Sequence, residues 1–261
     1  MSGLQIYVGS ILVIVVCMTS RAGANVIDFE TTPSGATPVD DAPLVTPYNI
    51  AGGGTVDFFF DTNGNNVFDS GVDARGLFEA YGQDGTDGFA NSTTGIADTA
   101  NGGLAGQLGN FFLRQPVAGS IPGPFIVAYA TSQTITALSG EIWDIDGSQG
   151  GTEQWRVDVL DASNNVLNSQ LSPLGNSLAL DGLPWTFSFS GLPAGVNKVR
   201  LTFVGTKTSG LGLAFNNFSP TSAVPEPGGA SLFGLGAVVT LVTLAHRRRH
   251  RPCNANAGHA T

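Results

Sequence analysis

Short runs in which every second residue is apolar constrain this chain more than any other feature. In Trp155-Arg156-Val157-Asp158-Val159, one set of side chains is Trp, Val and Val and the other is Arg and Asp. Trp185-Thr186-Phe187-Ser188-Phe189 and Val199-Arg200-Leu201-Thr202-Phe203 follow the same pattern. Successive side chains of a strand point to opposite faces, so a period of two means one buried face, one wet face and antiparallel pairing. Further β-branched or aromatic runs occupy residues 26–29, 56–60, 125–130 and 134–138. Turn clusters such as Asp161-Ala162-Ser163-Asn164-Asn165 and Leu192-Pro193-Ala194-Gly195 separate the runs. No long stretch repeats at the helical period. The expected fold is all-β, an antiparallel β-sandwich of jelly-roll type. Residues 61–123 fit it least well: 84–88 and 95–109 read as loop, either a long excursion over one sheet or irregular strands.

The two ends follow another logic. Residues 6–18 form an apolar run of signal-peptide length, too short for a comfortable span. Ala22 and Ala24 then supply the small-x-small pattern that a signal peptidase accepts, which puts cleavage after Ala24 and makes 1–24 a signal peptide read by the Sec translocon. No Lys or Arg precedes the run, so an uncleaved N-terminal anchor is the competing reading.

At the other end, Val224-Pro225-Glu226-Pro227 is stiff and extended, because two prolines block helix. Residues 228–245 carry no charge and, as a transmembrane helix at about 1.5 Å per residue, would span roughly 27 Å. Arg247, Arg248, Arg249 and Arg251 follow within the basic segment 246–251. Arginines clustered beside a span stay cytoplasmic. The expected topology is single-pass: residues 25–221 outside as one β domain, and 252–261 a cytoplasmic tail.

The order of these parts resembles the PEP-CTERM sorting signal of Gram-negative and related bacteria: Pro225-Glu226-Pro227, a short apolar helix, then Arg247 to Arg249. The resemblance covers residues 222–251. It implies recognition by an exosortase-type membrane enzyme, cleavage near the motif, and attachment to the cell surface or release into an extracellular matrix. An ordinary single-pass anchor would carry the same span without the processing.

Charge and absent residue types narrow the chemistry. Between Asn25 and Val224 lie six basic and nineteen acidic residues, a net charge of −13. So acidic a domain repels phosphate backbones, which excludes nucleic acid as a partner. Cys17 and Cys253 both lie in the targeting ends, as do His246, His250 and His259. The central domain therefore has no thiol chemistry, no histidine triad and no histidine-ligated zinc. Carboxylate chemistry and oxygen-ligated calcium are what its residue types allow.

Four constellations stand out. Asp61, Asn63, Asn65 and Asp69 place side-chain oxygens at relative positions 1, 3, 5 and 9, as a calcium loop requires. However, Val72 stands where a bidentate Glu belongs, and Asn63-Gly64 is equally a turn signal. Trp143, Asp144 and Asp146 form a candidate ligand site, with Trp143 as a stacking ring; Trp155 and Trp185 head apolar faces and read as core. The same neighbourhood, from Glu141 to Glu153, holds the carboxylates that an acid-base glycan-active enzyme would need. Finally, Ile27-Asp28-Phe29-Glu30 and Gly212-Leu213-Ala214-Phe215-Asn216-Asn217-Phe218 resemble the first and last strands of bacterial extracellular jelly-roll modules. That resemblance implies carbohydrate binding and a structural calcium near the termini, although Asn216 stands where those modules usually have Asp.

The leading expectation is an exported, membrane-anchored surface or matrix protein with a non-enzymatic structural or glycan-binding β-sandwich and polysaccharide as its partner. The alternative is a carboxylate-dependent extracellular glycan-active enzyme.

Overall fold

A computed structural model describes residues 26–82, 100–117, 119–148, 151–175 and 182–220. The residues expected to form a signal peptide, 1–24, a sorting motif, 224–227, and a transmembrane helix, 228–245, lie outside them, as do the arginines at 247–251, the segment 252–261 and residues 84–88 and 95–99. Among the described residues no helix is long and apolar enough to cross a membrane.

Fourteen strands are formed among the described residues. In chain order they are β1 (Tyr48–Asn49), β2 (Thr55–Phe60), β3 (Ala74–Arg75), β4 (Leu77–Ala80), β5 (Phe111–Arg114), β6 (Phe125–Ala130) and β7 (Ala137–Trp143). Then come β8 (Gly147–Ser148), β9 (Gly151–Thr152), β10 (Trp155–Asp161), β11 (Val166–Leu171), β12 (Pro184–Ser190), β13 (Val196–Phe203) and β14 (Ala214–Ser219). One helical turn, α1 (Ala105–Leu108), precedes β5. A seven-stranded sheet runs β1-β2-β6-β13-β10-β11 with β3 beside β2. A five-stranded sheet runs β12-β7-β14-β5-β4, and β8 and β9 pair separately. Pairing is antiparallel throughout.

The two sheets pack through the faces that the alternation marks as apolar. Phe58, Phe125, Val127, Trp155, Val157, Val159 and Leu201 from one sheet share a core with Phe78, Leu113, Ile142, Phe187, Phe215 and Phe218 from the other. Edge-to-face and tilted ring pairs, such as Phe29–Phe58 at 5.3 Å and Phe125–Phe215 at 5.1 Å, join the layers. The chain ends of the domain meet, with Ile27 bridging antiparallel to Phe218. On one flank Gln170 of β11 seals the edge of β12: it donates to the Ser188 carbonyl at 2.5 Å and accepts from the Ser188 N–H at 3.1 Å. A carboxamide thus takes the hydrogen bonds a neighbouring strand would, closing part of an open sheet edge.

Several expectations shift in detail. The run at 134–138 becomes a strand only from Ala137 and continues to Trp143. Gly140 breaks the apolar pattern there because a Cβ would lie 2.6 Å from Phe187 Cζ. Residues 26–29 contribute an isolated bridge in place of a full strand. The weak region 61–123 holds β3, β4 and β5, while the described part of 95–109 forms helical turns, with α1 at Ala105–Leu108, and no strand.

Candidate functional site

The outward residues of the seven-stranded sheet follow from its register. Asp57, Ala128, Lys198 and Leu160 form one row across β2, β6, β13 and β10. Arg75, Phe59, Ile126, Arg200, Asp158 and Ser169 form the next. Ala128 and Ala130 are short residues between longer neighbours, and β2 and β13, flanking β6, are about 9.5 Å apart. The result is a groove of about 390 Å³ floored by the two alanines. Thr55, Asp57 and Phe59 line one side, and Asn197 and Lys198 the other.

The third wall comes from residues 61–73, which join β2 to β3. Asp61 organises this loop by accepting the N–H groups of Gly64 at 2.8 Å, Asn65 at 3.2 Å and Asn66 at 2.7 Å. Phe68 is fixed edge-on to Phe59 at 5.5 Å, with the Arg75 guanidinium 3.6 Å over its ring. Asn66 adopts a left-handed backbone with φ 59° and lines the groove. It is only 7% exposed, and its carboxamide has no hydrogen-bond partner among the described residues. Its amide atoms keep contact with solvent at the groove, so a ligand seated there would replace water on them.

The charges around the groove are mostly spoken for. Arg75 pairs with Asp57 at 2.5 Å. Arg200 and Arg156 reach Asp158 at 2.9 and 3.1 Å. Burial alone would raise the Asp158 pKa, but bonds from Arg200, Ser169 and Arg156 outweigh it and hold the carboxyl below its ordinary range.

The predicted calcium residues Asp61, Asn63, Asn65 and Asp69 do come together in the loop, but they satisfy one another. Asn63 Nδ2 and Asn65 Nδ2 both donate to Asp69 Oδ2, at 2.8 and 2.6 Å. Asn63 Oδ1 accepts the Asn65 N–H and Asn65 Oδ1 the Val67 N–H. The amide oxygens are turned to the backbone, so a cation would have to displace bonds already made, and this donor set does not fit calcium as it is arranged. Near the termini, Asn216, which stands where the resembling modules have Asp, donates to the Leu108 and Phe111 carbonyls and accepts the Asn217 N–H.

Trp143, Asp144 and Asp146 are not presented together. Trp143 is 1% exposed, packed with Leu108, Phe112 and Ala214, and its Nε1 donates to Glu141 at 3.1 Å. This corrects its expected role: a ring buried under α1 has no open face for stacking. Asp144, at φ 59°, accepts the Gly182 N–H at 2.8 Å. Asp146 and Glu153 share Lys207, at 3.3 and 2.9 Å. Burial pushes the Glu153 pKa up to about 8, with Lys207 working against the rise. Its side chain is 2% exposed, closed to any substrate. A further acidic group, Asp40, Asp41 and Glu79, is taken up by Arg114, which bonds Asp41 and Glu79, and by the Ala80 N–H on Asp40. A second concavity of about 380 Å³ lies beneath residues 32–46, but no ionisable side chain lines it.

The groove was not among the predicted sites. Its signals were present in the sequence: three consecutive phenylalanines, 58–60, of which the middle one must face outward, and alanines at the outward positions 128 and 130. Only the register brings them together.

No known family's sequence profile matches the chain, and no curated protein does. One solved structure similar to it is the CBM22-1 xylan-binding domain of Paenibacillus barcinonensis Xyn10C, at 12% identity and a TM-score of 0.27. The match covers 56% of this chain and 95% of that one. Likeness of that degree decides nothing about function, which has to be read from the chemistry of the groove.

Proposed function

We propose that this protein is a non-catalytic, exported surface or matrix component whose β-sandwich binds polysaccharide in the groove over Ala128. The observation carrying this reading is the Asn66 carboxamide, unmatched within the chain and open to a trough of ligand size. Sugars present hydroxyls that both donate and accept, together with apolar C–H faces. The groove offers the complement: the Asn66 and Asn197 amides, the Asp57 carboxylate, and the apolar Phe59, Ala128 and Ala130. Jelly-roll topology belongs to the same proposal, supported by successive strands from β11 to β14 that alternate between the two sheets. The carboxylate-dependent enzyme is disfavoured because Glu141 accepts three neutral donors and Glu153 is sealed against Lys207.

Affinity electrophoresis of the detergent-solubilised full-length protein through gels containing plant or bacterial polysaccharides tests the binding. Retardation by at least one polysaccharide, lost in Ala128→Leu with the melting temperature unchanged, is the expected result. Equal retardation of the variant removes the groove from the account.

Export and anchoring form the other half of the proposal, resting on the sequence of both ends: a signal peptide at 1–24, the motif Val224-Pro225-Glu226-Pro227, the span and its arginines. Intact mass and fractionation from the native host test it. The wild type should end near Pro225, while a Pro225→Ala, Pro227→Ala double variant keeps its arginine tail in the membrane. An uncut tail in both leaves a plain single-pass anchor.

A further inference from the structure

The saccharide that the groove is built for carries a carboxylate, we infer, and Lys198 is the group that receives it. This rests on the groove being a glycan site and names the class of glycan.

Six basic side chains belong to the described domain, and five of them lie within 4.0 Å of a carboxylate. Lys198 is the exception. It is 8% exposed and lines the groove, and its ammonium has one neutral partner, Asn164 Oδ1 at 2.9 Å. An ammonium has three donors, so this leaves it under-bonded as well as uncompensated. In a domain of net charge −13 a cation could easily have been given an acid, as the other five were. Asp161 feels the Lys198 charge. That carboxylate is committed to the turn it caps, accepting from Ser163 N–H, Asn165 N–H and Asn165 Nδ2 at 2.8 to 2.9 Å.

The surrounding field points the same way. Arg75, Arg156, Lys198 and Arg200, four of the six cations, project from this one face, against the carboxylates Asp57 and Asp158. The sheet face itself carries more cations than carboxylates, although Asp61, Asp69 and Asp73 stand on the bordering loop, and Lys198 is the cation that no carboxylate pairs directly. Asp57 shares the groove but is neutralised by Arg75 at 2.5 Å, so an incoming carboxylate meets no net repulsion there. A uronate seated over Ala128 would bring its carboxylate to Lys198, while its hydroxyls reach the Asn66 amide and its ring lies on the alanine floor. A partly enclosed charge-assisted bond of this kind is stronger than a neutral one.

Calorimetric titration of the detergent-solubilised full-length protein with trigalacturonate and with its trimethyl ester tests this. The acid should bind at least about tenfold more tightly than the ester. Rising salt should weaken only the acid. Lys198→Met, which keeps the aliphatic stem, should bring the two ligands within about twofold of each other, and Lys198→Arg should restore the preference. Melting temperatures of both variants within about 2 °C of wild type would show that the fold is intact. Equal binding of acid and ester by the wild type overturns the inference and leaves the glycan reading standing. A preference that survives Lys198→Met overturns the assignment to Lys198. Pentaglutamate binding as tightly as the acid sugar overturns it in favour of an acidic peptide. If neither saccharide binds, the inference falls, and the glycan reading is decided by the electrophoresis alone.

Discussion

The two outer faces of the sandwich rest on one core but end differently. On the five-stranded sheet, α1 folds down over Phe112, Trp143 and Ala214 to make a second small core. Beneath it Glu141 accepts from Gln107 Nε2 at 2.8 Å, Asn217 Nδ2 at 2.9 Å and Trp143 Nε1. A nearly buried carboxylate thus has its acceptor sites filled by neutral donors from within the chain. On the seven-stranded sheet the loop at 61–73 reaches over only part of the face. It stops short of Ala128, leaving the Asn66 amide with no partner in the chain and the Lys198 ammonium with one, both on the groove. The contrast separates polar groups buried for stability from polar groups held ready: the first have their bonds completed by the chain, the second do not.

The largest effect should come from the closed face. Trp143→Ala empties the small core and strips Glu141 of a donor, so a loss of about 3–5 kcal/mol in denaturant titration is expected, with saccharide affinity unchanged in the protein that remains folded. A loss of binding without loss of stability would show that the closed face is the functional one after all.

Next comes the charged closure at the end of the sandwich, where Lys207 seals Glu153 and Asp146. Glu153 holds its proton more tightly folded than unfolded, with a folded pKa near 8 against an ordinary 4.5. The stability this lends is complete below its unfolded value and is lost as pH climbs through about 8. Between pH 5 and 8.5 the domain should therefore lose stability on the order of 2–3 kcal/mol, and Glu153→Gln should flatten the slope. A slope that persists in the variant would place the titrating group elsewhere.

A smaller and more discriminating effect belongs to the open face. Asn66→Gly removes the unmatched amide at a position whose φ of 59° glycine accepts without strain. Stability should stay within about 0.5 kcal/mol of wild type, while saccharide affinity falls by several fold, about 1 kcal/mol. If stability dropped as it would for a satisfied buried group, Asn66 would belong with the closed face. The smallest expectation is a null shift. Because Asp61, Asn63, Asn65 and Asp69 already satisfy one another, chelator should move the melting temperature by less than about 1 °C. A clear fall on chelation would restore the calcium reading of that loop.

How much of this could be read from the sequence depended on whether the information was local. The strands β10, β12 and β13 alternate within themselves, so their faces were legible residue by residue, whereas β2 and β6 showed only as apolar runs. β7 was half hidden, because Gly140 makes room for the Phe187 ring and interrupts the apolar period. β11, an exposed edge strand with Val-Leu-Asn-Ser-Gln-Leu, carries no clean alternation to detect. The site was harder still. Trp143 looked like a ligand ring because its burial comes from α1, thirty-five residues earlier in the chain. The groove joins Asp57, Asn66, Ala128 and Lys198, none of which is unusual alone. Their meaning comes from antiparallel register, which short-range pattern does not specify.

The most direct test of the open-face claim is a backbone amide NMR map of the labelled full-length protein in micelles, titrated with trigalacturonate. Shifts concentrated at Asp57, Asn66, Ala128 and Lys198, with Gln107, Glu141 and Asn217 silent, are what the account predicts. Shifts concentrated at Gln107, Glu141 and Asn217, with the groove silent, would contradict it.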